Sequence, residues 1–457
     1  MRGGIAMQRA LKMKGIWWLG SLLSFVFLSL FSVQSVSAKE TIINESQSLQ
    51  EAIDQADSGD VLKLTEGVYS GALLISKPLT IMGTEGVIID GENVENVITI
   101  QSNNVTIKDI EIQNGAQSGV YVKDSESITI QGTTLQNVMH GIHIEGGSDY
   151  KISENTISSV VGSFSEKGHG IYLAGGTNYK IENNTIYSVL DGIYSEKVNT
   201  LYVNENTITF SRYAVHLMFN KDALVENNHL EGNITGIMCM DSQGIELIDN
   251  TIVDHFNVRG FGLIIYDSSE IEIVKNEVRL NSTGLSLEKT VNVQIERNVI
   301  SGNQVGLEFI GSNENNIFTE NNFIGNVVQS KITNNQMQLD NGIKGNYWDD
   351  YKSYDVTGDG IGEITYKAGS LYDQLLEKQP YWQFFFESPS IQLWSKAETL
   401  FPSIGLADVY DENPLVEPVV FNKADSEDKE RNIGALIVAI PFLWFSILLM
   451  WLGRRIS

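Results

Sequence analysis

The sequence predicts an all-β protein built as a right-handed parallel β-helix, and three observations predict it. First, a phrase recurs: Gly170-Ile171-Tyr172-Leu173, Gly192-Ile193-Tyr194-Ser195, Ala214-Val215-His216-Leu217 and Gly236-Ile237-Met238-Cys239 begin 22 residues apart. The series opens at Gly119 and Gly141 and continues at Gly262, Gly284 and Gly306, with two longer steps of 29 and 26 residues. Second, apolar and polar residues alternate inside each phrase, a strand signal. Third, a companion phrase carries Asn155, Asn184, Asn206, Asn228, Asn250, Asn276 and Asn298 in step. Such a period marks a solenoid. One coil cannot bury its apolar face alone. Coils stacked about 4.8 Å apart bury it in a column and pair each backbone group with the coils above and below.

The elements follow in order. Arg9, Lys12 and Lys14 precede an apolar run from Ile16 to Val33 and the small residues Val36-Ser37-Ala38, so residues 1–38 read as a secretory signal cleaved after Ala38. Starting at Met13 gives a more ordinary signal length, and with no Cys near the cleavage point no lipoprotein is expected. Ser48 to Asp57 places Leu49, Ala52, Ile53 and Ala56 at helical spacing, a helical cap for the open first coil. Val61–Leu64, Leu73–Ile75, Leu79–Ile81, Val87–Ile89 and Val97–Ile112 read as the first strands, and the β-helix occupies residues 39–345. The two long steps are read as loops at Gly162–Lys167 and His255–Arg259. The Asn column is read as structural, because Asn tolerates left-handed backbone and its amide can bond the next Asn.

Residues 346–416 form an aromatic and acidic loop followed by a helical docking tail. Ser370 caps a helix through Leu371, Leu375 and Leu376, and Ser388-Pro389 opens another with Ile391, Trp394, Ala397 and Phe401 at helical spacing. Residues 417–432 are a charged linker. Ile433 to Leu452 is apolar and uncharged, enough for one span of about 30 Å, so residues 433–453 read as a single C-terminal transmembrane helix. Arg454 and Arg455 then place the tail 454–457 in the cytoplasm and the body outside.

Composition narrows the function. With 31 Lys+Arg against 57 Asp+Glu the formal charge is -26, which argues against nucleic-acid binding. The single cysteine, Cys239, permits no internal disulfide.

The repeat also shows which side chains share a column. Ile171, Ile193, Val215, Ile237 and Leu263 face the core, as do Leu173, Leu217, Cys239 and Ile265, so Cys239 reads as a small buried hydrophobe. On the other side His143, Tyr172, Tyr194, His216 and Met238 form one column, and Glu145, Ala174, Glu196, Met218 and Met240 the next. His216, Met218, Met238 and Met240 therefore make a two-by-two patch. Imidazole with thioethers is a soft ligand set suited to Cu(I); the alternatives are a Met-rich apolar patch covered by a loop or partner, or simple surface residues. Asp355, Thr357, Asp359, Ile361 and Glu363 fall at positions 1, 3, 5, 7 and 9 of a calcium loop, but Tyr366 stands where the bidentate acid belongs. The loop is either a truncated calcium site or a tight Gly/Asp turn. No catalytic set emerges: Glu145 and Glu196 are separated by the coil of Ala174, and no tight Asp–Asp pair on adjacent coils has a His or Arg beside it.

Three passages carry a family resemblance. They are Arg212-Tyr-Ala-Val-His216-Leu-Met218 with Gly236-Ile-Met238-Cys-Met240; Arg259-Gly-Phe-Gly-Leu-Ile-Ile-Tyr266-Asp267; and Asn346-Tyr-Trp-Asp-Asp-Tyr through Asp355-Val-Thr-Gly-Asp-Gly-Ile-Gly, followed by Ser370-Leu-Tyr-Asp-Gln-Leu. Together they resemble NosD, the extracytoplasmic maturation factor family of nitrous oxide reductase. The resemblance implies a β-helix without enzyme activity. It implies partnership with the ABC transporter subunits NosF and NosY, with the copper chaperone NosL, and with the reductase NosZ, whose copper–sulfide centre is assembled. The usual member is soluble and periplasmic, so the C-terminal span departs from the pattern; an anchored form suits a cell without an outer membrane. Two other classes stay open, a polysaccharide lyase, hydrolase or epimerase, and a surface adhesin or scaffold. The first predicts a groove lined by acids, Arg and aromatics.

Overall fold

The computed structural model describes residues 38–333, 337–368, 388–390, 393 and 409–421. The residue runs assigned to the signal (up to residue 37), most of the helical tail and the 433–453 span lie outside these. Among the described residues no helix is long and apolar enough to cross a membrane.

The strands wind as a parallel β-helix. One wall is a 13-stranded parallel sheet that begins at Glu40–Ile43 and ends at Ile317–Thr319. The rest of each coil supplies a short strand such as Thr185–Tyr187 and, past a corner, a six-residue strand such as Asp191–Glu196. Register is held coil to coil: Ile171, Ile193, Val215, Ile237 and Leu263 pair in sequence and are all buried. The expected core columns are thus in place. Gly192 is required by close approach, since a Cβ there would lie 2.5 Å from the Ala214 carbonyl oxygen and 2.5 Å from Ile208.

The first coils differ from the expected pieces. Val87–Ile100 runs as one strand, and the expected stretch Val97–Ile112 is broken at residues 101–105 before Thr106–Lys108. The helix spans Leu49–Gln55, with Ser48 accepting the Glu51 N–H and Leu49 and Ile53 buried. Its Gln50 side chain satisfies the edge of the neighbouring strand, accepting from Leu74 N at 2.8 Å and donating to Leu74 O at 3.2 Å.

The Asn column forms the expected ladder. Asn184 Oδ1 accepts from the backbone N–H and the amide of Asn155, and Asn206 does the same for Asn184. The ladder Asn is not itself left-handed. The residue before it is: Asn183, Glu205, Asn227, Asp249, Lys275 and Arg297 all have φ between 52° and 57°. A second ladder runs Ser211, Asn233, His255, Asn281 and Asn303. His255 is therefore a buried rung, not part of a loop as expected, and the excursion begins at Phe256.

The stack also ends later than residue 345. Asn346 is the last rung, accepting from Asn321, and Tyr347–Trp348 pairs with Asn322 and Phe323. Beyond it, Met337–Gln338, Val409–Asp411 and Tyr366–Ala368 make a three-stranded sheet that the periodicity does not reveal. Asp411 ties it to the solenoid, accepting from Asn346 N at 2.8 Å and Trp348 Nε1 at 3.1 Å.

Candidate metal centre

The strands Asp191–Glu196, Tyr213–Met218 and Thr235–Met240 lie side by side and expose alternate residues on one outer face. Within it His216 pairs with Met238 and Met218 with Met240, as the repeat requires. Above them stand Tyr194 and Glu196, below them Ile264 and Tyr266. His216 is only 8% exposed, and the three methionines are half-buried. Tyr194 Oη lies 3.5 Å from Met218 Sδ.

The structure adds residues outside the two outward columns. They stand one position before the recurrent Gly or Ala: His140, His169, Asp191, Tyr213 and Thr235. The same 22-residue ruler finds them when it is laid on that position. Asp191 is fully buried. Arg212 grips it with two bonds, Nε to Oδ1 and Nη2 to Oδ2, each 2.7 Å. His216 Nδ1 lies 3.1 Å from Oδ2, and His169 Nδ1 3.5 Å from the same oxygen, too loose for a hydrogen bond. Burial works to raise the Asp191 pKa, yet the bonds from His216 and Arg212 hold it below the usual carboxylate range. Arg212 is correspondingly held up by its bond to Asp191.

His216 Nε2 is buried without a hydrogen-bond partner among the described residues. An orphaned buried nitrogen beside two columns of thioethers fits a soft metal ion, for which neutral imidazole is a good ligand. His140 fits less well. Its Nδ1 accepts the His169 backbone N–H at 3.1 Å, which leaves the proton on Nε2. Burial lowers His140 and His169 to about 4, so both are neutral at pH 7. Among the described residues no three His, Cys, Asp or Glu side chains are arranged to hold a metal ion; any site here needs the sulfurs. The rings themselves follow one another from coil to coil, stacked for His143–Tyr172 and Tyr172–Tyr194, edge-on for Tyr121–His143 and tilted for Tyr194–His216. Centroid spacings are 5.1 Å for Tyr121–His143, 4.5 Å for His143–Tyr172, 5.2 Å for Tyr172–Tyr194 and 4.8 Å for Tyr194–His216.

Cys239 is fully buried in the core, and burial pushes its thiol up to about 12. It faces away from the patch. The 355–363 segment closes as a turn: Asp355 accepts N–H bonds from Gly358, Asp359 and Gly360, and Asp359 Oδ1 accepts from Ile361 N. Ile361 and Gly362 are tied to Leu415 and Pro414, and Glu363 N reaches Tyr354 O at 3.5 Å. Thr357 Oγ1 turns back to Asp355 at 3.4 Å.

Fold and face define a right-handed parallel β-helix protein: residues 85–164 match the model of the right-handed β-helix region, and residues 153–353 match that of the family described as periplasmic copper-binding protein (NosD). A protein of Pseudomonas aeruginosa named "Probable ABC transporter binding protein NosD" is 25% identical over 385 residues, covering 79% of this chain and 89% of that protein. The chain is thus similar to the NosD family, most directly over residues 153–353. A protein of the same name from Stutzerimonas stutzeri is 32% identical over 126 residues, 27% of this chain and 28% of that one. Among solved structures, the A-module of the Azotobacter vinelandii mannuronan C-5 epimerase AlgE4 overlaps with a TM-score of 0.46 at 16% identity, covering 65% of this chain and 96% of that one. The catalytic unit of a GH87 α-1,3-glucanase from Streptomyces thermodiastaticus overlaps with a TM-score of 0.46 at 14% identity, over 69% of this chain and 66% of that one.

Proposed function

We propose that the chain is an extracytoplasmic accessory protein for the maturation of nitrous oxide reductase, assisting delivery of copper or sulfur to its copper–sulfide centre, with copper as the cargo that the His216 and methionine face suits. It works with the ABC transporter subunits NosF and NosY, receives copper from NosL and serves NosZ. The body is exported and held at the cell membrane by the 433–453 segment, with no enzyme activity of its own.

The observation that carries this reading is the pairing of His216 with Met238 and of Met218 with Met240, beside the orphaned His216 Nε2. Thioethers and neutral imidazole hold Cu(I) without proton release and let it go again by ligand exchange. The experiment is Cu(I) titration against a chromophoric competitor. Replacing His216 by Ala and Met218, Met238 and Met240 by Leu together abolishes binding; unchanged binding by that variant removes the ligand assignment.

The polysaccharide reading has Tyr172, Tyr194, Arg212 and Asp191 to draw on. Its acid, however, is fully buried and already bonded to Arg212 and His216. Turnover of an anionic glycan by the purified chain would restore it. Calcium binding by the 355–363 loop is a separate proposal, decided by whether calcium chloride raises the unfolding temperature.

A further inference from the structure

Asp191 has a more specific task than holding a corner together. It stands one coil above Tyr213 in register, and Arg212 fixes both of its oxygens at 2.7 Å. The His216 ring is held on two sides, by Tyr213 edge-on at 5.0 Å and 85° and by Tyr194 at 4.8 Å. Its Nδ1 meets Asp191 Oδ2 at 3.1 Å. An ionised carboxylate only accepts hydrogen bonds, so Nδ1 must carry the proton. The proton on Nδ1 leaves Nε2 as a lone pair, and that nitrogen is the buried, unpartnered one.

We propose that Asp191 is the positioning residue of the copper site: it selects the His216 tautomer with the proton on Nδ1 and aims the free Nε2 at the ion. This rests on the copper reading above. A carboxylate behind a ligating imidazole fixes its tautomer and raises its basicity, and removing such a partner lowers metal affinity by about 10–100-fold. Arg212 keeps the carboxylate from rotating toward His169, whose Nδ1 is 3.5 Å from the same oxygen.

The test has two readouts on the full-length protein. Its 6 histidines allow selective 15N labelling, with the His216 signals assigned by their loss in His216→Gln. In the metal-free wild type, long-range 1H–15N correlation shows His216 protonated on Nδ1. Asp191→Asn, whose amide can donate toward Nδ1, moves the proton to Nε2 and weakens Cu(I) binding by about 10–100-fold. A proton on Nε2 in the wild type overturns the proposal whether or not copper binds, and needs no variant to fold. A shifted tautomer with unchanged Cu(I) affinity in Asp191→Asn, while His216→Gln loses affinity, also overturns it. Unchanged affinity in His216→Gln and in the four-residue variant removes the copper reading itself, and with it the proposed role of Nε2.

Discussion

Asp191 and Cys239 show what neighbours do to a residue's chemistry. Asp191 was legible only by laying the repeat on the position before the recurrent Gly. The alternation of strands breaks at that corner, and Asp191 becomes a buried acid between Arg212 and His216. Cys239 was fully legible, because it shares a core column with Leu217 and Ile265. Its thiol, pushed up to about 12 by burial, has almost no thiolate at neutral pH. It should therefore react with an aqueous disulfide reagent only as fast as the protein opens. Labelling of the native chain at the rate of a free thiol would contradict its placement in the core.

The ladders and their corners are the elements that the repeat describes least completely. The first Asn column was legible because it recurs in step. The second was not, because Ser211 and His255 interrupt it and different residue types serve as one rung. The left-handed corner was misplaced by one residue, because Lys275 and Arg297 adopt it as readily as Asn183. Rung chemistry adds to the burial of the apolar columns. Asn206 accepts from Asn184 and donates to Ile181 O, Asn204 O and Asn228 Oδ1. Removing it orphans several buried groups, so Asn206→Ala should lower stability by about 3–5 kcal/mol. Glu246→Gln, on the exposed outer face, should change it by less than about 0.5 kcal/mol. Native-state hydrogen exchange reads both, and the loss should spread to the adjoining coils, since each coil is stabilised by its neighbours. The small sheet of Met337–Gln338, Tyr366–Ala368 and Val409–Asp411 was not legible at all. Its strands are two or three residues long, and its partners are far apart in sequence.

At the scale of the molecule, the solenoid sets His216, Met218, Met238 and Met240 on one outer face and buries or half-buries several imidazoles. His140, His169 and His255 are each lowered by burial to about 4. A lowered histidine favours folding while neutral, and that contribution fades as pH falls from about 6.5 toward 4. Each can account for up to about 3 kcal/mol. Asp411 acts in the opposite sense: burial raises it to about 6, so its contribution is fullest below about 4 and is lost as pH rises through 6. Burial also lowers His143 and raises Asp350; with four imidazoles against two carboxylates, the urea midpoint should fall between pH 7 and 4.5. His255→Asn, which restores an ordinary rung, should flatten that fall. A midpoint rising steadily toward pH 4.5 would contradict the buried neutral imidazoles.

The proposed supply of copper to a maturing reductase through the His216 and methionine face is open to direct measurement. The most direct measurement is absorption and electron paramagnetic resonance spectroscopy of nitrous oxide reductase purified from cells lacking the chain. The same is done on cells given back either the wild type or the His216, Met218, Met238 and Met240 variant. A missing or depleted copper–sulfide centre is expected without the chain, restored by the wild type and not by the variant. A fully loaded centre in the deletion strain would contradict it.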